Sequence, residues 1–68
     1  MEITRIVHMR VMKGLGPDWI DKVIEINYDD VETGTPESEI TAMVTADAKR
    51  QMERAGYLRS YVKEIENA

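Results

Sequence analysis

The chain has 68 residues, 13 of them acidic and 9 basic, a formal net charge of −4 and no cysteine. One domain fits that length, and a domain near this size buries only about 60% of its unfolded surface, so it relies on close packing or self-association. The missing cysteine excludes disulfides, thiolate chemistry and cysteine-based zinc sites, and it suits a reducing cytosol. No stretch approaches the roughly 20 apolar residues of a membrane span and no signal-peptide core is seen, so a small, soluble, cytoplasmic domain is expected.

Charge is segregated along the chain. Residues 1–13 carry Arg5, Arg10 and Lys13 against Glu2, whereas residues 18–39 hold eight acids against Lys22 alone. Residues 45–68 return to a near balance, five bases to four acids. An acidic middle between weakly basic ends argues against general nucleic-acid affinity, which needs a concentrated positive face. It suits a basic partner, or it only solvates loops and a sheet face.

Residues 2–12 are rich in β-branched side chains and roughly alternate, so a strand is expected. Ile3, Val7, Met9 and Val11 point one way; Thr4, His8 and Arg10 point the other, with Ile6 and Met12 among them. Two glycines and a proline in 13–18 mark a turn. A second strand over 19–28 puts Ile20, Ile24, Ile26 and Tyr28 on one face and Val23, Glu25 and Asn27 on the other. An antiparallel hairpin with Val11 opposite Ile24 aligns the apolar faces and sets Arg10 across from Glu25.

Residues 29–38 have loop chemistry, with Gly34 available for a positive φ. Residues 39–45 admit two readings. As a strand, Ile40, Ala42 and Val44 face the core, and the β-branched Ile40, Thr41, Val44 and Thr45 favour it. As a helix, Thr35 is the N-cap, Pro36 the first helical residue and Glu37 a favourable charge for the dipole.

The rest of the chain is organised around residues 45–66, read as one amphipathic helix capped by Thr45. At about 100° per residue Ala48, Gln51, Ala55, Leu58, Val62 and Ile65 share one arc. Gly56 is awkward there, costing roughly 1 kcal/mol relative to alanine; alternatively it ends a shorter helix and a fourth strand comes after it. The expected architecture is α+β: a three-stranded antiparallel meander packed against one long C-terminal helix. The competing arrangements are a hairpin with a helix from Pro36, and a further strand after Gly56.

No catalytic residue, cofactor site or metal site is visible in the sequence. His8 is the lone histidine, is expected to be structural or exposed, and has no spacing-defined acid–base partner such as Asp29 or Asp47. The run Asp29-Asp30-Val31-Glu32-Thr33-Gly34 fails the spacing of an EF-hand loop, and residues 13–16 match no phosphate-binding motif. Arg50, Arg54, Tyr57 and Tyr61 would flank the helix stripe, where snorkelling and core-edge packing explain them. On the face of the sheet away from the helix, Ile6, Met12, Val23 and Met43 would lie among polar side chains, a mixture that marks interaction surfaces. Asp29, Asp30 and Glu32 form the second candidate surface. These features point to a non-catalytic protein-interaction module (an adaptor, regulator or inhibitor). The alternatives are a structural subunit of a homo-oligomer and an acidic decoy for a basic site that normally takes nucleic acid.

Overall fold

The computed structural model describes residues 1–14 and 16–68, which form β1 (Ile3–Met12), β2 (Ile20–Tyr28), α1 (Glu37–Arg54) and β3 (Arg59–Asn67). Leu15, in the turn expected between the first two strands, lies outside the described residues. The class is α+β as expected, a three-stranded antiparallel sheet with one helix, but the helix stands between β2 and β3 rather than at the C-terminus. The strand order is β2-β1-β3, so β1 rather than β2 is central and the sheet is not a meander. Length accounts for this path. An 18-residue helix spans about 27 Å, nearly the length of a nine-residue strand at about 3.3 Å per residue. The helix therefore carries the chain back along the sheet, and β3 starts beside Met12, whose carbonyl accepts from the Leu58 amide at 2.9 Å.

The hairpin is present in a different register. Val11 pairs with Ile20, Val7 with Ile24 and Arg10 with Asp21, four residues from the expected alignment. A shift of four leaves every side chain on its expected face, because faces depend only on odd or even position. Hydrophobic alternation thus could not distinguish the two registers. Asp21 replaces Glu25 as the carboxylate opposite Arg10, with Oδ1 3.2 Å from the guanidinium Nε.

Residues 39–45 are helical, not a strand, as in the competing reading, but α1 starts at Glu37, one residue later than that reading had it. Glu37 and Glu39 lie in its first turn, the favourable sign for the dipole. Pro36 itself occupies the N-cap position without a side-chain cap; Thr35 instead donates its hydroxyl to the Glu32 carbonyl at 2.7 Å. Thr45 is no cap either, since its hydroxyl donates back to the Thr41 carbonyl within the helix at 2.8 Å. Ile40, Val44, Ala48 and Met52, at four-residue spacing, form the buried stripe.

The helix expected over 45–66 stops at Arg54. Gly56, at φ 94°, donates to the Glu53 carbonyl at 3.0 Å, and Tyr57 donates to the Met52 carbonyl at 3.1 Å. Those two bonds around a left-handed glycine are a Schellman motif, which satisfies two orphan carbonyls and turns the chain out of the helix. Leu58, expected in the core, is 67% exposed.

Beyond that turn runs β3, the strand that the sequence offered as a fourth and that is the third here. Val62 pairs with Met9, Glu64 with His8 and Ile65 with Val7, so a β-bulge at Lys63–Glu64 places two residues opposite one. The core-facing side chains Ser60, Val62, Ile65 and Asn67 are consequently spaced two, three and two apart. That interruption of strict alternation is what imitates a helical period.

One face of the sheet packs against α1. Ile3, Val7, Met9 and Val11 of β1, with Ile26 of β2, are buried against the helix stripe; Ile24, Tyr28, Tyr57, Val62 and Ile65 close the edges. Arg5 on the same face is largely buried and donates to Glu37 at 3.0 Å, tying the central strand to the first turn of α1. Among the described residues no helix covers the opposite face.

Candidate functional site

A groove forms where β2 gives way to α1. Val31, buried in the core, anchors the connecting loop, and its amide and carbonyl exchange 2.9 Å hydrogen bonds with the carbonyl and nitrogen of Met1. Gly34, at φ 95°, then reverses the chain, and the amide of Thr35 returns to the Glu32 carbonyl at 3.2 Å. The result is a cavity of about 380 Å³ between this loop and the outer side of α1. Tyr28, Val31 and Met43 supply its apolar part, while Asp29, Asp30, Glu32 and Glu39 supply four exposed carboxylates. Among the described residues none of these four is within salt-bridge distance of a base; the nearby Glu37 is already taken by Arg5.

Tyr28 fixes one wall. Its hydroxyl donates to the Asp47 carboxylate on α1. Burial, then the hydrogen bond and the negative charge of Asp47, push its pKa up to about 12, with Arg50 opposing. Asp47 is itself held by Arg50 one turn on, Oδ1 to Nη1 at 3.1 Å.

The uncovered sheet face is the second surface. It is laced across the strands by polar contacts: Asn27 donates to the Thr4 hydroxyl at 2.6 Å, and Lys63 Nζ lies 3.9 Å from Asp21. At one end Trp19 and Tyr61 stack edge to face with ring centroids 5.3 Å apart. Further along, His8 Nε2 is 2.7 Å from Glu66 Oε1, and Glu64 faces His8 directly across the β1–β3 pair. Val23, 61% exposed, is the apolar residue this face shows most openly.

Four of the candidate residues converge and three do not. Asp29, Asp30, Glu32 and Met43 meet in the groove. Met43 was expected on the open sheet face with Thr41 and Thr45, but all three belong to α1, because residues 39–45 are helical. Ile6 and Val23 do lie on the open face; Met12, on the same side, is buried and is not an exposed contact. Arg50 and Arg54 lie on α1, but Tyr57 and Tyr61 do not. Tyr57 comes after the helix and has Lys13 and Lys22 Nζ at 5.7 and 5.6 Å from its ring, while Tyr61 belongs to β3.

Two groups of residues escape sequence reasoning. Glu39 joins the groove only because it sits in a helical turn above the loop. Glu64 and Glu66 reach His8 only because residues 59–67 are a strand paired with β1. Alternation within that strand is the one signal that could have found them, and the bulge obscures it. No helix among the described residues is long and apolar enough to cross a membrane. Comparison with protein-family models, with curated proteins and with solved structures returns no match for this chain.

Proposed function

We propose that the protein is a non-catalytic interaction module whose acidic groove receives a basic segment of a partner protein, acting as an adaptor, regulator or inhibitor. The observation that carries this is the set of four unneutralised carboxylates, Asp29, Asp30, Glu32 and Glu39, grouped around Met43 and Tyr28. A lysine or arginine side chain has the matching form, an aliphatic stem for the apolar part and a charged head for the rim. A basic site that ordinarily takes nucleic acid is one case of such a partner, which makes an acidic decoy a special form of the same function. A cytoplasmic setting belongs to the proposal and rests on the absence of cysteine.

The test is binding of a fluorescent Lys/Arg-rich peptide to the wild type and to two triple variants of equal charge. One reverses Asp29, Asp30 and Glu32 to lysine; the other reverses the exposed Asp18, Glu25 and Glu53, which lie elsewhere. The groove variant is expected to lose at least about tenfold in affinity and the control little. Association should slow as salt rises, since exposed charges are screened beyond about 8 Å near physiological ionic strength. Equal losses in the two variants would reduce the interaction to bulk charge and remove the groove.

A homo-oligomer is the second reading, favoured by the open sheet face, where Val23 is exposed beside half-buried Ile6. β2 is also an outer strand whose edge could pair with a second copy.

A further inference from the structure

We infer that His8, Glu64 and Glu66 form a binding site for a divalent transition-metal ion of the zinc class, on the uncovered face of the sheet. One donor atom from each lies within 4.8 Å of the others, and His8 Nε2 and Glu66 Oε1 are already 2.7 Å apart. Strand pairing imposes this arrangement. His8 is on the central strand, Glu64 is its direct partner on β3, and Glu66 is two residues further along β3, so all three project to the same side. The bulge at Lys63–Glu64 sets this register, because without the extra residue the odd and even positions of β3 would exchange faces.

The donor set selects the ion. One neutral imidazole and two carboxylates supply two negative charges to a dication, in the mixture of nitrogen and oxygen that zinc accepts with three protein ligands and one open position. Donors bound at about 2.0–2.1 Å around a tetrahedral ion stand about 3.3 Å apart. Adjustment to that spacing would fall to the Glu64 and Glu66 side chains, which are exposed, whereas His8 is half-buried. Calcium and magnesium are disfavoured, since both prefer a shell made of oxygen alone. Such an ion would cross-link the central strand to the outer half of β3 beyond the bulge. Its fourth position faces away from the core, open to water or to a donor from a bound protein.

The proposal is independent of the acidic groove, and the groove supplies its control. Zinc titrated calorimetrically into the purified protein is expected to bind at one equivalent in the micromolar range. His8→Asn, and separately the pair Glu64→Gln with Glu66→Gln, should each weaken that binding at least about tenfold, with circular dichroism confirming that the variants remain folded. Asp29→Asn, Asp30→Asn and Glu32→Gln together should leave it unchanged. X-ray absorption of the zinc complex should show one nitrogen neighbour with oxygens completing the shell, and the His8 ring NMR signals should shift in step with zinc occupancy. Absence of stoichiometric binding, or binding insensitive to the Glu64/Glu66 pair, overturns the site. Loss of affinity in the groove variant instead would move the ion to the groove and overturn it equally.

Discussion

The Tyr28 hydroxyl, at the end of β2, donates to the Asp47 carboxylate midway along α1, a polar tie between the outer strand and the helix beside the hydrophobic core. Removing it with Tyr28→Phe should destabilise the fold by about 1–2 kcal/mol, at the lower end of the range for hydrogen bonds to charged groups, because Asp47 keeps Arg50. Burial of the hydroxyl, and after it this bond, make stability depend on alkaline pH. Tyr28 is raised from 10.0 to about 12 in the folded protein, so the stabilisation is complete below pH 10 and is lost as pH rises toward 12. Denaturant melts of wild type and Tyr28→Phe across that window should therefore converge. A constant difference between them would mean that the tie does not stabilise the neutral tyrosine.

The burial of the helix stripe predicts where truncation hurts. Ile40→Ala or Met52→Ala should cost about 2–5 kcal/mol, since each removes a buried side chain packed between α1 and the sheet. Leu58→Ala should stay within about ±0.5 kcal/mol, because Leu58 lies in the turn after the helix with its side chain exposed. Thermal melts of the three variants decide between this arrangement and a helix running on through Leu58.

Gly56 isolates a backbone effect. A β-carbon placed there meets nothing within 4 Å, yet φ is 94°. Gly56→Ala should thus cost about 1–2 kcal/mol from left-handed strain alone. The loss should show in equilibrium melts with no change in the helical circular dichroism of the folded state. A neutral substitution would show that the helix end relaxes into another turn.

Self-association through the open sheet face makes a separate prediction. Light scattering across micromolar concentrations should show mass above that of the monomer, and Val23→Glu should return it to the monomer value while leaving the fold intact, since Val23 is largely exposed. A monomeric wild type at every concentration would eliminate the oligomer reading and leave the groove unaffected.

Alternation alone assigns the faces of β1 and β2, residue by residue, because odd and even positions of a strand must point opposite ways. Composition likewise determines that the domain has no disulfide to reinforce it, and the acidic run 29–32 announces one wall of the groove. Three matters were left to the tertiary structure. The hairpin register shifted by four because a period of two repeats itself, so only the geometry of the turn could choose. Residues 39–45, β-branched and ambiguous in isolation, became helix because Ile40 and Val44 join Ala48 and Met52 in one stripe that the sheet buries. Residues 59–67 became a strand because Gly56 ends α1 and β1 offered an unpaired edge, the bulge at Lys63–Glu64 having disguised their alternation as a helical period. The meeting of His8 with Glu64 and Glu66, 56 and 58 residues away, exists only through that long-range pairing. Local sequence carries local preference; which strand lies beside β1 is set by the total apolar surface that one arrangement of the whole chain removes from water.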